Sequence, residues 1–276
     1  MASSSSVAGT LQTRAPFWLW PNLLSLDAPL IAALWQDVFA HDAGVKLTVA
    51  GRTALPLAVW FIYLVDRLLD TRAGLPARTT ARHAFYYSHR GLSYVLAGIC
   101  AVLLAVSVVQ LPRAVLFGGL VVAGSVGAYL LIVHWIGGAR KTWLPKEAAV
   151  GVLFAVGCVL APFERAAACN RLVFPALLFG FLCWMNSAAI EIWEGGCADR
   201  ASQWTVRHVK PLTVAVILAF LMADAGTTVW HSDVALVLAA IGYWLISDAR
   251  SEMSGDALRV WIDVPLLAPL LLMGLH

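Results

Sequence analysis

The sequence predicts an all-α integral membrane protein, a bundle of nine transmembrane helices. Three observations carry that expectation. First, 61% of the 276 residues are hydrophobic and only 13% are charged, about half the charged fraction of an ordinary soluble domain. Second, apolar runs of about 17 to 20 residues recur along the whole length, which as helices match the hydrocarbon thickness of a bilayer. Third, Lys and Arg are distributed unevenly between alternate connections, which gives the bundle a direction.

Taken in order, residues 1–16 hold a serine run and one basic residue, Arg14. They lack the compact apolar core and small-residue cleavage site of a signal peptide, so a disordered tail is expected. Residues 17–276 then form one membrane domain. Phe17, Trp18 and Trp20 are the amphipathic aromatics that favour the headgroup level and mark where the chain meets the membrane. The first span, 23–40, carries Pro29 near its start, where a missing N–H costs little. The second, 53–70, has Pro56 early and ends in Asp66-Arg67-Leu68-Leu69-Asp70. The third and fourth, 92–110 and 114–134, are apolar throughout, with His134 and Trp135 as interfacial anchors. The fifth, 145–163, opens on Pro145 after a basic approach; the sixth, 171–190, carries Pro175 and runs out into Glu191 and Glu194. The seventh, eighth and ninth are 209–226, with Pro211 near its start, 232–248 and 258–275. Asp263 lies one turn inside the ninth, either as a first-turn acid favoured by the helix dipole or as a polar contact facing the bundle.

With nine spans, fourteen of the nineteen Lys and Arg fall on the N-terminal side. Only Lys46, Arg52, Arg113, Arg165 and Arg171 fall on the other. That split puts the N-terminus in the cytoplasm, in a membrane of the bacterial inner type. The two long connections, 71–91 and 191–208, lie on the same cytoplasmic side, and each follows a span that ends in acids. Connections of that length usually carry function or are disordered. The five cysteines have no CxxC spacing and read as small apolar residues. Near the external end of the first span, Asp37, His41 and Asp42 read as a solvated rim.

Chemistry concentrates at the two acidic helix ends. Asp66 and Asp70 are four residues apart, so they share a helix face about one turn apart, with Tyr63 a turn earlier on the same stripe. Two carboxylates open to an aqueous mouth suit a hard cation such as magnesium, which takes oxygen ligands and bridges to substrate phosphates. A hydrated helix end with Arg67 as local partner fits the spacing equally well. At the sixth span, Ser187, Glu191 and Glu194 stand at i, i+4 and i+7 and share a face, just after Asn186 and ahead of Asp199-Arg200. Between the two ends lie Arg72, Arg78, Arg82, His83, His89 and Arg90, then Arg140, Lys141 and Lys146, then Arg207, His208 and Lys210. Acids for a metal beside bases for oxyanions is the combination a diphosphate needs.

These features resemble the UbiA superfamily of intramembrane aromatic prenyltransferases. Its first motif reads N-D-x-x-D-x-x-x-D, and Ile62-Tyr63-Leu64-Val65-Asp66-Arg67-Leu68-Leu69-Asp70 aligns with it, keeping the last two acids and an arginine between them. Ile62 and Tyr63 stand where the motif has Asn and Asp, and Glu191 and Glu194 stand where its second motif has aspartates. Arg140-Lys141-Thr142-Trp143-Leu144-Pro145-Lys146-Glu147 is similar to the family's basic approach to the fifth helix. The resemblance implies a magnesium-dependent transfer of a prenyl group from a polyprenyl diphosphate to an aromatic or other lipid-soluble acceptor. Asp66, Asp70, Glu191 and Glu194 would hold Mg2+ and be catalytic. Tyr63, Arg67, Arg72, Arg82, Lys141, Lys146, Asn186, Ser187 and Arg200 would bind substrate. The alternative is a non-catalytic relative that keeps the cavity and binds an isoprenoid or other lipid. A solute transporter is disfavoured, because the two halves show no paired, glycine-broken helices. Nucleic-acid binding is not indicated, and serine-nucleophile, P-loop and dinucleotide-fold patterns do not occur. Asp66-Arg67-Leu68-Leu69-Asp70-Thr71 also lacks the glycine of the D-x-x-D-G pattern of membrane phosphatidyltransferases.

Overall fold

A computed structural model describes residues 16–72, 81–131, 146–163, 170–193, 199–222 and 230–272. Among the described residues every regular element is helical. In chain order the α-helices are α1 (Trp20–Leu23), α2 (Asp27–Asp42), α3 (Val49–Arg72), α4 (Ala81–Ser88), α5 (Arg90–Val108), α6 (Arg113–Leu131), α7 (Lys146–Phe163), α8 (Asn170–Trp193), α9 (Arg200–Arg207), α10 (Val209–Met222), α11 (Trp230–Ala249) and α12 (Gly255–Asp263). Short 3-10 turns precede α1 and follow α11, and a longer one, Val264–Leu271, continues α12.

Among the described residues, four stretches are long and apolar enough to cross a membrane: α3, α5, α8 and α11 with its 3-10 extension. The count rises to six if each bent pair is one span: Phe17–Leu23 with α2, bent by 79°, and α9 with α10, bent by 77°. The described parts of α6 and α7 are shorter apolar helices. The expected ends of the fourth and fifth spans meet in 132–145, which lies outside the described residues, as does the serine-rich tail up to residue 15.

At α3 and α12 the helix starts earlier than the apolar window suggests, because capping side chains extend the helix into polar sequence. The Thr48 hydroxyl accepts the Gly51 N–H at 3.1 Å, so α3 begins at Val49 and Pro56 lies two turns inside it. Pro175 is likewise inside α8. Pro29 and Pro211 do sit in first turns, those of α2 and α10. The ninth window departs most. The Ser254 hydroxyl caps α12 by accepting the Ala257 N–H, and the helix ends at Asp263, so that acid closes a helix where a first-turn position was one expectation. Beyond it Pro265 and Pro269 remove two N–H donors four residues apart, and the chain tightens into a 3-10 turn. The Leu266 carbonyl in that turn accepts the buried Trp35 indole N–H at 2.8 Å.

The core lies where α2, α7, α8 and α11 meet. Trp35 and Phe39 of α2 pack on Phe179 of α8, with Trp35 and Phe179 stacked at 4.1 Å between ring centroids. α7 and α8 touch backbone to backbone: a Cβ on Gly151 would stand 2.6 Å from the Gly180 carbonyl oxygen, so only glycine fits there. A second cluster joins Leu64 and Leu68 of α3 to Tyr86 of α4 and Ala97 and Cys100 of α5. Outward, large apolar residues such as Val102, Phe117, Leu177 and Leu221 are exposed, as expected of surfaces whose solvent is lipid.

Candidate functional site

One cavity of about 800 Å³ runs along the inside of the bundle. Its polar end is built by the last two turns of α3 and of α8. On α3, Tyr63, Asp66, Arg67 and Asp70 all line it, because the i, i+3, i+4, i+7 spacing places them on one stripe. On α8 the same spacing presents Cys183, Asn186, Ser187, Ile190 and Glu191. α4, packed across α3, adds Arg82, whose residue is only 4% exposed. α4 is fixed by Tyr86, whose hydroxyl donates to Ser25 Oγ at 3.1 Å; burial pushes that phenol's pKa up and keeps it a donor.

Arg67 stands between the two α3 acids. Its Nη1 donates to Asp70 Oδ2 at 3.0 Å and its Nη2 lies 3.5 Å from Asp66 Oδ2. The Arg67 side chain is 15% exposed, against 26% for Asp66 and 34% for Asp70. The acids thus face the open mouth and the guanidinium lies beneath them.

Below the mouth is a layer that sequence reasoning did not assign to the site. Asp27 of α2 and Asp263 of α12 meet side chain to side chain. Asn22 Nδ2 donates to Asp27 Oδ2 at 2.8 Å, and Asn186 Nδ2 donates to Asp263 Oδ1 at 2.7 Å. Tyr129, Glu147 and Arg259 also line the cavity. The signal for Asp27 and Asp263 was present, since an acid in an apolar window is expensive unless it faces the bundle interior. Nothing local pairs residues 236 positions apart. From this layer the cavity continues along apolar walls, Ile31, Leu55, Leu153, Phe154 and Leu160 among them, to Gly51, Leu111 and Val115 at the other end of the bundle.

Of the residues expected from sequence, the cavity brings together Tyr63, Asp66, Arg67, Asp70, Arg82, Asn186, Ser187 and Glu191. Arg200 is exposed at the start of α9 and does not line it. Lys141 and Glu194 lie outside the described residues, as do the side chains of Arg72 and Lys146. Asp199 works as a helix cap: its Oδ1 accepts the Ala201 and Ser202 N–H groups at 2.7 and 3.0 Å. The Ser202 hydroxyl lies 2.8 Å from Asp199 Oδ2 and 3.0 Å from Glu147 Oε2, which ties α9 to the first turn of α7. Burial pushes the Asp199 carboxyl up, but the hydrogen bonds from Ser202, with those of Glu147 and Ala201, outweigh it and hold the group below the usual carboxylate range.

No protein-family model matches the chain, and no curated protein matches it in sequence. In three dimensions it is similar to the apo structure of a UbiA homolog from Aeropyrum pernix K1, with a TM-score of 0.51 and 13% sequence identity over 90% of this chain and 98% of that one. The likeness gives the chain a UbiA-like, helical membrane fold.

Proposed function

We propose that this chain is an intramembrane prenyltransferase of the UbiA type, moving a prenyl group from a polyprenyl diphosphate to an aromatic or other lipid-soluble acceptor. The observation that carries the reading is one cavity that acids and arginines share with apolar walls: those from α3, α4 and α8 gather at one end of it, and a long apolar channel leaves them. A diphosphate needs the first and a polyprenyl tail the second.

The donor set suits magnesium. Asp66 and Asp70 are hard oxygen donors, partly exposed at the mouth, and Glu191 faces the same cavity from α8. These three residues, with Glu194, would hold the ion, which when bound supplies positive charge against the diphosphate. Arg82 and Arg67 bring guanidinium groups to the same end, suited to oxyanion recognition and to the charge that develops as the allylic C–O bond breaks. Asn186 and Ser187 would orient the acceptor beside that bond, and the apolar walls exclude water from the carbocation. In this reading the bundle has nine spans in a bacterial-type inner membrane, with the mouth and the N-terminus cytoplasmic, as the distribution of basic residues implies.

A second reading has its own support. Arg67 already bridges the two α3 acids where a cation would sit, and Ile62 and Tyr63 replace two polar positions of the family motif. A chain so arranged could hold an isoprenoid or lipid without turning it over. The deciding experiment uses the purified full-length chain and a series of prenyl diphosphates with an aromatic acceptor. Magnesium-dependent release of pyrophosphate that disappears in Asp66→Ala and Asp70→Ala supports transfer. Binding of the prenyl diphosphates with no release, under the same conditions, overturns it in favour of the carrier.

A further inference from the structure

The end of the bundle opposite the mouth holds a different polar cluster. Asp42, the last residue of α2, lies beside His231, in the first turn of α11, and its neighbour His41 turns toward the same point. Asp42 Oδ1 accepts from His231 Nδ1 at 2.8 Å and lies 4.0 Å from His41 Nδ1. The two imidazoles meet edge to face with centroids 4.2 Å apart. One ligand atom from each of the three residues lies within 4.8 Å of the other two.

Helix capping accounts for only part of this. Asp42 Oδ2 accepts the Ser232 N–H at 2.7 Å, and Oδ1 lies 3.3 Å from the His231 N–H, so the carboxylate does cap α11. A cap needs the carboxylate alone. It does not need two imidazoles converging on the same oxygen, nor an Asp42 side chain that is only 3% exposed. The Ser232 N–H instead fixes the carboxylate's orientation, the role that outer hydrogen bonds play for metal ligands.

We propose that His41, Asp42 and His231 form a binding site for a zinc-type divalent cation that clamps the end of α2 to the start of α11. Two imidazoles with one carboxylate select a borderline d-block ion and disfavour magnesium or calcium, which take oxygen ligands. A cation bound at His231 Nδ1 takes the place of the N–H that donates to Asp42 Oδ1, and the neutral imidazole then carries its one proton on Nε2. The His41 side chain is 52% exposed and that of His231 19%, so the fourth coordination position faces water. Asp70 lies 21 residues along α3 from Val49, which begins just after this end, so the site is about 30 Å from the mouth. It is independent of the prenyl-transfer reading.

The test titrates Zn2+ into the purified, chelator-stripped full-length chain by calorimetry, in excess Mg2+, and records visible absorption with Co2+ in its place. One Zn2+ per chain is expected, unaffected by Mg2+, together with Co2+ d–d bands that Zn2+ abolishes. His41→Ala and His231→Ala should each weaken binding by about 100-fold or more, since loss of a mere supporting partner costs 10- to 100-fold. Because His41 is half exposed, its variant folds and decides the question alone if His231→Ala does not fold. Absence of stoichiometric zinc in the wild-type chain, or affinity retained in His41→Ala, overturns the proposal. Neither result depends on whether pyrophosphate is released at the other end.

Discussion

The two polar ends of the bundle are built by opposite rules. At the mouth, Arg67 pairs with Asp66 and Asp70 of its own helix, and the two acids remain partly open to solvent. At the far end, Asp42 is buried and spends both carboxylate oxygens on a helix about 190 residues away. Partly exposed pairs within one helix add little to stability, so little of the fold rests on the mouth acids. A buried carboxylate that accepts two N–H groups holds helices together, and its loss leaves donors unsatisfied. The comparison therefore predicts that the mouth governs activity and the far end governs stability.

The largest effect follows at the mouth. Asp66→Ala or Asp70→Ala should lower pyrophosphate release by roughly 100- to 1,000-fold, the scale seen when one preorganised charge-stabilising group is removed. Thermal unfolding of the same variants in detergent should move by less than about 1 kcal/mol. Large destabilisation without loss of turnover would break the comparison. At the far end, Asp42→Ala should cost about 2 kcal/mol of stability with chelator present, combining a lost cap with unsatisfied N–H groups. An unfolding curve that superimposes on the wild type would show that the end needs no clamp.

The same contrast decides what the sequence could disclose. The mouth was legible because its logic is local: an i, i+4 pair of acids announces a shared face, and the eight-residue stretch from Tyr63 to Asp70 needs only helical geometry. So was the partner stripe on α8, up to Glu191. The far end was not, because His41 and Asp42 read alone are a solvated rim, and His231 gives no hint from 189 residues away. The pairing of Asp27 with Asp263 was hidden for the same reason, although each acid in an apolar window already pointed toward the bundle interior. Arg82 was expected to bind substrate, but its spacing did not set it apart from the other bases of its connection, since a short helix there lays it into the cavity. Local backbone chemistry misled once, where Pro265 and Pro269 turn the end of an apolar window into a 3-10 turn. It also shifted helix starts, where Thr48 and Ser254 cap earlier than apolar periodicity suggests.

A smaller effect tests the channel that joins the two ends. Val115 is buried near the start of α6 and lines the cavity far from the acids. Val115→Trp should shorten the space for a prenyl tail and leave the mouth untouched. The ratio of kcat/KM for long over short prenyl diphosphates is expected to fall about tenfold, the usual scale for a steric change in an apolar pocket. An unchanged chain-length profile would mean that the tail lies elsewhere.

The smallest effect asks whether the rule follows the end of the bundle or the type of contact. Asp199 is on the mouth side, yet it behaves like Asp42, capping α9 through the Ala201 and Ser202 N–H groups. If contact type decides, Asp199→Asn should alter stability and spare turnover. The sign of its pH dependence follows from the depressed pKa. The folded state holds this carboxyl below its unfolded value of about 3.9, so its contribution is complete above that value. It fades as pH falls through the unfolded pKa toward the lower folded one, because protons then bind the unfolded chain first. Unfolding midpoints should therefore decline more steeply below about pH 4 in the wild type than in Asp199→Asn, while both run nearly parallel above about pH 5. Other carboxylates titrate in the same window, but they are common to both proteins and cancel in the difference. Parallel acid limbs would mean that Asp199 contributes no charge-dependent stability, and a loss of turnover at neutral pH would move it from the cap into the site.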